Sequence, residues 1–444
     1  MAPAVAQRPG LGQGERFVEQ YAARDSRGGA SPAWLRTLRA RGLEAFTSQG
    51  FPTTRHEEWL FTPVAAIADT AFVPGELLHV QADALDGLRF GEATAAELVF
   101  VNGVFVPALS RARDLPKGLE VGSMQALLAA HPDGLSQVLG TLAGMDDAPF
   151  TALNTALFED GVVVRVRKGA VVESPVHVLF YSTVSGAPSA AHPRVLVVAE
   201  DHSQVRVIET YAGPDGQVYL TNAVSEFVAG DAAVVDHYRV NRESRSAFHV
   251  GRQQVRTGRA TTFVSHNLVL GGALVRNDIG AVLGGEGGDT TLNGLYVGEG
   301  GQLLDTHTLI DHALPHNGSH ELYKGILGGQ ARGVFNGKIV VRQDAQKTDA
   351  KQTNKALLLS GDAQVNTKPQ LEIFADDVKC THGATVGQLD PDMLFYLRAR
   401  GIGRDDARTM LIRAFVGDIT ARVRFDPLRE RLEAWLTERI PRER

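Results

Sequence analysis

Small turn-forming clusters recur along the middle of this chain, and their spacing restricts the fold more than any other feature. "DHSQ" at 201, "AGDAAV" at 229, "TGRATT" at 257, "GGALV" at 271, "GEGGD" at 285, "GEGGQ" at 298, "GGQARG" at 328 and "SGDAQV" at 360 stand roughly 14 residues apart, or about twice that. Alternating strand-like pieces such as "GVVVRVRKG", "PRVLVVAE", "SQVRVIETY" and "TTFVSHNLVL" run through the same region. Each piece is too short to bury its own apolar face, so the pieces must stack on one another around an interior of Val, Leu and Ile. The expected fold is therefore mainly β, with a β-solenoid spanning roughly 155 to 388. A large sandwich with irregular turns is the alternative.

The flanks read differently and divide the chain into a mixed N-terminal region (1–150), the solenoid (151–390) and a helical C-terminal region (391–444). After a Gly/Pro-rich tail expected to be mobile, "SPAWLRTL" places Ser31 at a helix N-cap and Pro32 at the first helical position. The stretch "FPTTRHEEWLFT" follows, and "ELVFVNGVFVP" carries a hairpin signal at Asn102-Gly103. Near the C-terminus, Ala407, Met410, Leu411, Ala414, Phe415 and Ile419 recur at helical spacing behind Asp405 and Asp406, which suit a first helical turn. Leu428, Leu432, Trp435 and Leu436 repeat the pattern. These helices are expected either to cap the solenoid end, where strand edges would otherwise be open, or to dock a partner.

Composition narrows the function classes. A formal net charge of −6 without a basic run argues against nucleic-acid or anionic-membrane binding. A single cysteine forbids any disulfide within the chain and fits a reducing, cytoplasmic compartment. No apolar segment behind a basic start marks a secretory signal, and runs such as "VLVVA" are too short to cross a bilayer.

Nucleotide chemistry has no motif here. "VFNGKIVV" has Gly337-Lys338, but Ile339 follows and Arg332 stands where a phosphate loop needs glycine; "VLGGEGGDTT" opens no helix. His307, His312, His316 and His320 are partly four apart, as zinc ligands on a helix would be, but Pro315, Asn317 and Gly318 break such a helix. Ordinary hydrogen bonding is the expectation for them. "DDVKCTHGATVGQLD" holds the lone thiol, Cys380, two residues before His382. On a strand over 378–386, Val378, Cys380, His382, Ala384 and Val386 share an apolar face, and Lys379, Thr381, Gly383 and Thr385 take the other. One thiolate and one imidazole cannot complete an iron–sulfur cluster, which usually has four protein ligands. The pair is either inert core or half of a site completed by a second chain.

"TKPQLEIFADDVKCTHGATVGQLDPDMLFYLRARGI", with "DTHTLIDHALPHNGSHELYKGILGGQARGVFNGKIVVRQDAQKTDAKQTNKALLLS" upstream, resembles the SufB/SufD family of iron–sulfur cluster assembly proteins. "FVNGVFVP" and "FPTTRHEEWLFT" extend the likeness more weakly. The single cysteine, and Thr381 and Gly383 where SufB-type chains carry glutamates, resemble the SufD type. The resemblance implies a right-handed parallel β-helix and a non-catalytic scaffold. It also implies a heterodimer with a SufB-type paralogue, or a homodimer of isolated chains, and an ATPase of the SufC type docked on the C-terminal helices. In the same reading His382, with Cys380 beside it, helps hold a transient cluster shared with SufB, and this chain binds no nucleotide. A polysaccharide-active β-helix enzyme and a purely structural solenoid are the competing readings; scarce aromatics, at 7%, weigh against the former.

Overall fold

The computed structural model describes residues 11–26 and 31–439; the first ten residues of the tail expected to be mobile lie outside them, but Leu11–Ser26 is a helix, held to the body by its buried Phe17. Successive strands alternate between two sheets. One carries Arg194–Ala199, Tyr219–Ala229, Phe248–Thr257, Leu274–Leu283, Leu303–His312, Arg332–Val341 and Gln364–Ile373. The other carries Gln204–Ala212, Val234–Arg242, Thr262–Val269, Asp289–Gly298, Gly318–Leu327, Asp349–Leu358 and Lys379–Gly387. Each strand pairs in parallel with the strand two places along the chain, so the chain winds as a β-solenoid. Leu274 pairs with Leu303 and Leu303 with Arg332, a full turn of 29 residues each time. Strands starting at Asp289 and Leu303 are 14 residues apart, so the interval legible in the sequence is half a turn.

One corner shows why turn residues repeat. His202, Ala232, Ala260, Gly287, His316 and Lys347 all have positive φ. Each donates its N–H one turn on, to Asp231, Arg259, Glu286, Pro315, Gln346 and Asp377 respectively. The stacked bonds hold even alanine and lysine in a conformation that usually favours glycine.

Both outer faces are covered. Leu220, Val250, Leu274, Leu303 and Val334 of the first sheet pack under Phe17, Phe46, Phe51, Trp59 and Phe150 from the N-terminal region. Ile208, Val240, Leu268, Leu295, Ile326 and Leu357 of the second sheet pack under the helices Arg404–Thr420 and Asp426–Arg439. The C-terminal helices thus lie along the flank of the solenoid rather than over its end. A parallel sheet is apolar on both faces and draws its helices onto them. Leu428, Leu432, Trp435 and Leu436 are buried as their spacing predicts, but in the preceding helix the buried face is Ala407, Ile412, Val416 and Ile419, with Met410 exposed. Pro32, not Ser31, occupies the N-cap of Ala33–Gln49, and the Ser31 hydroxyl instead accepts from Arg39 at 3.0 Å. Asn102 and Gly103 both take positive φ and join Ala96–Val101 to Val104–Phe105 as a hairpin.

The interior holds a polar cluster among its apolar columns. Glu209 accepts from Tyr211 (2.8 Å), Ser225 (2.9 Å) and Arg239 (3.3 Å), all buried. Burial holds His237 neutral by pushing its pKa down, so its Nε2–H donates to Glu209 at 3.1 Å and Nδ1 accepts from Ser265 at 2.9 Å. Arg239 reaches on to Asn277 across Gly251, where a Cβ would meet the Asn277 oxygen at 2.7 Å.

The segment "FPTTRHEEWLFT" is clasped to the first sheet. Arg276 lies 3.8 Å over the Trp59 ring and bonds Asp278 (2.8 Å) and Asp305 (2.9 Å), while Thr62 donates to Asp305. His307 sits 3.1 Å from both Glu58 and Asp305. Despite burial, which opposes the charge, these carboxylates raise the His307 pKa to about 9. Protonation of His307 therefore stabilises the fold fully below its ordinary value near 6.5, and that contribution is lost as pH rises through about 9. The stability advantage of the natural chain over His307→Asn should shrink across that window, measured by thermal unfolding at each pH.

Candidate functional site at the open end of the solenoid

The last strands of the two sheets each have one partner. Gln364–Ile373 pairs with Arg332–Val341, and Lys379–Gly387 with Asp349–Leu358. Their other edges present unpaired backbone groups, a template for strand addition. Exposed apolar side chains line this end: Ile373, Phe374 (62% exposed) and Val386 (46%).

Register fixes which way the candidate residues face. Ala350, Gln352, Asn354 and Ala356 are buried inside the solenoid and pair in register with Cys380, His382, Ala384 and Val386. Those four residues therefore continue the inward-facing columns. The alternation expected from the sequence is present, over Lys379–Gly387. The burial expected of an apolar core face is not: His382, Ala384 and Val386 are exposed, because among the described residues no further turn lies above them.

Cys380 is half-buried against Ile339, Val341, Ala345, Ala350 and Ala375. Burial pushes its thiol pKa up, with Asp349 adding to the rise, so the free chain holds it as a thiol rather than a reactive thiolate. A cation would have to displace that proton for the sulfur to act as a ligand. His382 is the more available donor.

The four upstream histidines do not converge. His307 belongs to the clasp, His312 is buried and bonded to Ser319 at 2.8 Å, and His316 and His320 face solvent near Glu286 and Asp289. Among the described residues no group of three or more His, Cys, Asp or Glu could hold a metal ion. Lys338 of the glycine-lysine pair lies in a strand and bridges to Glu372 at 2.7 Å. Among the described residues no helix is long and apolar enough to cross a membrane.

Two features escaped the sequence reading. Beneath His382, Gln352 bonds Glu321 at 2.6 Å, both buried; polar residues at inward positions of "DAKQTNKALL" were the available signal. Directly after the open end, the helix Pro391–Ala399 is N-capped by Asp390 and has no buried residue. Its Met393, Phe395 (74% exposed) and Tyr396 are exposed, with Arg400 lying 3.5 Å over the Tyr396 ring.

Comparison with known proteins matches residues 180–415 to the SUF system FeS cluster assembly, SufBD core domain, and residues 15–178 to the SufBD protein N-terminal region. An iron-sulfur cluster assembly SufBD family protein of Synechocystis is 36% identical over 91% of this chain and 91% of its own. The iron-sulfur cluster assembly protein SufD of Escherichia coli is 33% identical over 90% and 92%, and SufD of Bacillus subtilis 28% over 92% and 94%. The chain belongs to the SufBD family of iron–sulfur cluster assembly proteins.

Proposed function

We propose that this SufBD family member is a SufD-type scaffold subunit that pairs end to end with a SufB-type paralogue and helps hold a nascent iron–sulfur cluster at the junction. The observation that carries the reading is the unfinished last turn, which leaves His382 and Cys380 on inward columns with nothing above them. A second solenoid adding strands to both open edges would bury the exposed apolar rim and enclose His382. Its own side chains would supply the remaining ligands, and the cluster is cargo that later leaves. A second copy of this chain can use the same edges when the paralogue is absent.

The exposed apolar side chains of Pro391–Ala399, Phe395 above all, are the proposed dock for a SufC-type ATPase. Hydrolysis belongs to that partner, since no phosphate-cradling loop is found in this sequence. Truncating the whole C-terminal region would be a poor test, because Arg404–Thr420 and Asp426–Arg439 cover the second sheet. Surface substitutions separate the two interfaces. Phe395→Glu should abolish co-purification of the ATPase and Val386→Glu that of the paralogue, each leaving the thermal midpoint nearly unchanged, because both side chains are exposed. Retention of both partners by both variants would refute the assignment.

A further inference from the structure

His382 stands at the top of an internal column, and the two members directly below it are also polar. Leu292, Glu321, Gln352 and His382 occupy successive register positions on neighbouring strands. Adjacent strands lie ~4.8 Å apart, so each side chain can reach the next. The Gln352 amide donates from Nε2 to Glu321 Oε2, in the turn below, at 2.6 Å. Its side chain crosses the interior over Gly337, where an added Cβ would lie 2.2 Å from that nitrogen.

With its nitrogen bonded to the lower turn, the amide has its oxygen left to bond elsewhere. That oxygen is buried and has no hydrogen-bond partner. Orphaned buried acceptors are costly, so a donor within reach should be drawn to it. The turn above offers Pro369 from the first sheet, in register with Gly337 and without a polar side chain, and His382 from the second. An imidazole always carries at least one N–H.

We propose that Gln352, oriented by Glu321, is a positioning residue for His382, accepting one ring N–H so that the other ring nitrogen faces out of the solenoid. The role deepens the interface-site reading and rests on it for its purpose, though the hydrogen bond itself does not. Where it is ionised Glu321 sets the direction of the amide, since a carboxylate only accepts and takes the NH₂ end; burial raises its pKa to about 7, so the measurement belongs well above that pH. The arrangement matches the way ligating histidines are commonly fixed by a hydrogen bond behind the ring.

The test is histidine-selective nitrogen NMR on the full chain without iron, with the His382 signals identified by their loss in His382→Ala. The natural chain should hold His382 mainly as one neutral tautomer. Gln352→Met, similar in shape and only a weak acceptor, should shift the tautomer ratio by about threefold to tenfold, the range a net hydrogen bond supports. Glu321→Met should scramble the ratio too, by freeing the amide to flip, and provides a second route if Gln352→Met does not fold. An unchanged ratio in a folded variant of either kind would overturn the proposal. Iron loading of the same variants in the assembled complex separates the two readings. A shifted tautomer with full loading would leave the hydrogen bond standing and remove its part in cluster holding, while the role of His382 itself is tested by His382→Ala.

Discussion

Glu209→Gln should cost this protein about 3–5 kcal/mol of stability, the usual penalty for breaking a buried ion pair from one side. The substitution hardly changes shape. It removes the charge that faces the Arg239 guanidinium at 3.3 Å, where both side chains are fully buried. Ser225 and Asn277 still contact Arg239 but carry no charge to offset it. The folded chain keeps Glu209 ionised against the opposing effect of burial, chiefly through Arg239 and His237, with its pKa lowered to about 2. Because that value lies below the ordinary carboxylate range, the stabilisation is present above about 4.5 and is lost as pH falls toward about 2. A double variant, Glu209→Gln with Arg239→Met, should recover part of the loss by removing the unpaired charge while an amide oxygen remains for the neighbouring donors. Thermal unfolding of both variants at neutral pH decides the matter. Equal destabilisation in the two would mean that packing, not charge, holds these turns together.

Sequence and structure agree where a local rule acts alone. The turn interval was legible because every half-turn needs its own corner, and Asn102-Gly103 because its turn needs positive φ twice. The polar interior was not legible. In "SQVRVIETY" both faces of the strand end up covered, so alternation does not say which face holds Glu209 and which holds Ile208. The helix face at Ala407–Ile419 came out rotated because apolar residues lie on several sides of this helix, so spacing alone does not choose Ile412 and Val416 over Met410 and Ala414. The open end was half legible. Period-two spacing put Cys380 and His382 on one face, but whether that face is buried depends on the next turn, and this chain does not supply it.

His382→Ala is the second large-effect prediction. It should cut the iron and acid-labile sulfide recovered with the assembled complex by at least about tenfold, since even residues behind a metal ligand commonly cost that much. Folding should not suffer, because the side chain is exposed and its strand is held by the ladder to Asp349–Leu358. Cys380→Ser should have a smaller effect. Its thiol is half-buried and held protonated, so loss of packing is the first consequence, and a fall in cluster loading would appear only if the sulfur is deprotonated within the complex.

The most direct measurement is iron and sulfide content per complex, after reconstitution of the chain with its paralogue and the ATPase, for the natural sequence and for His382→Ala at equal subunit stoichiometry. The account predicts intact assembly with the cluster lost. Full loading in the His382→Ala complex would contradict it, leaving the open end as a docking surface and nothing more.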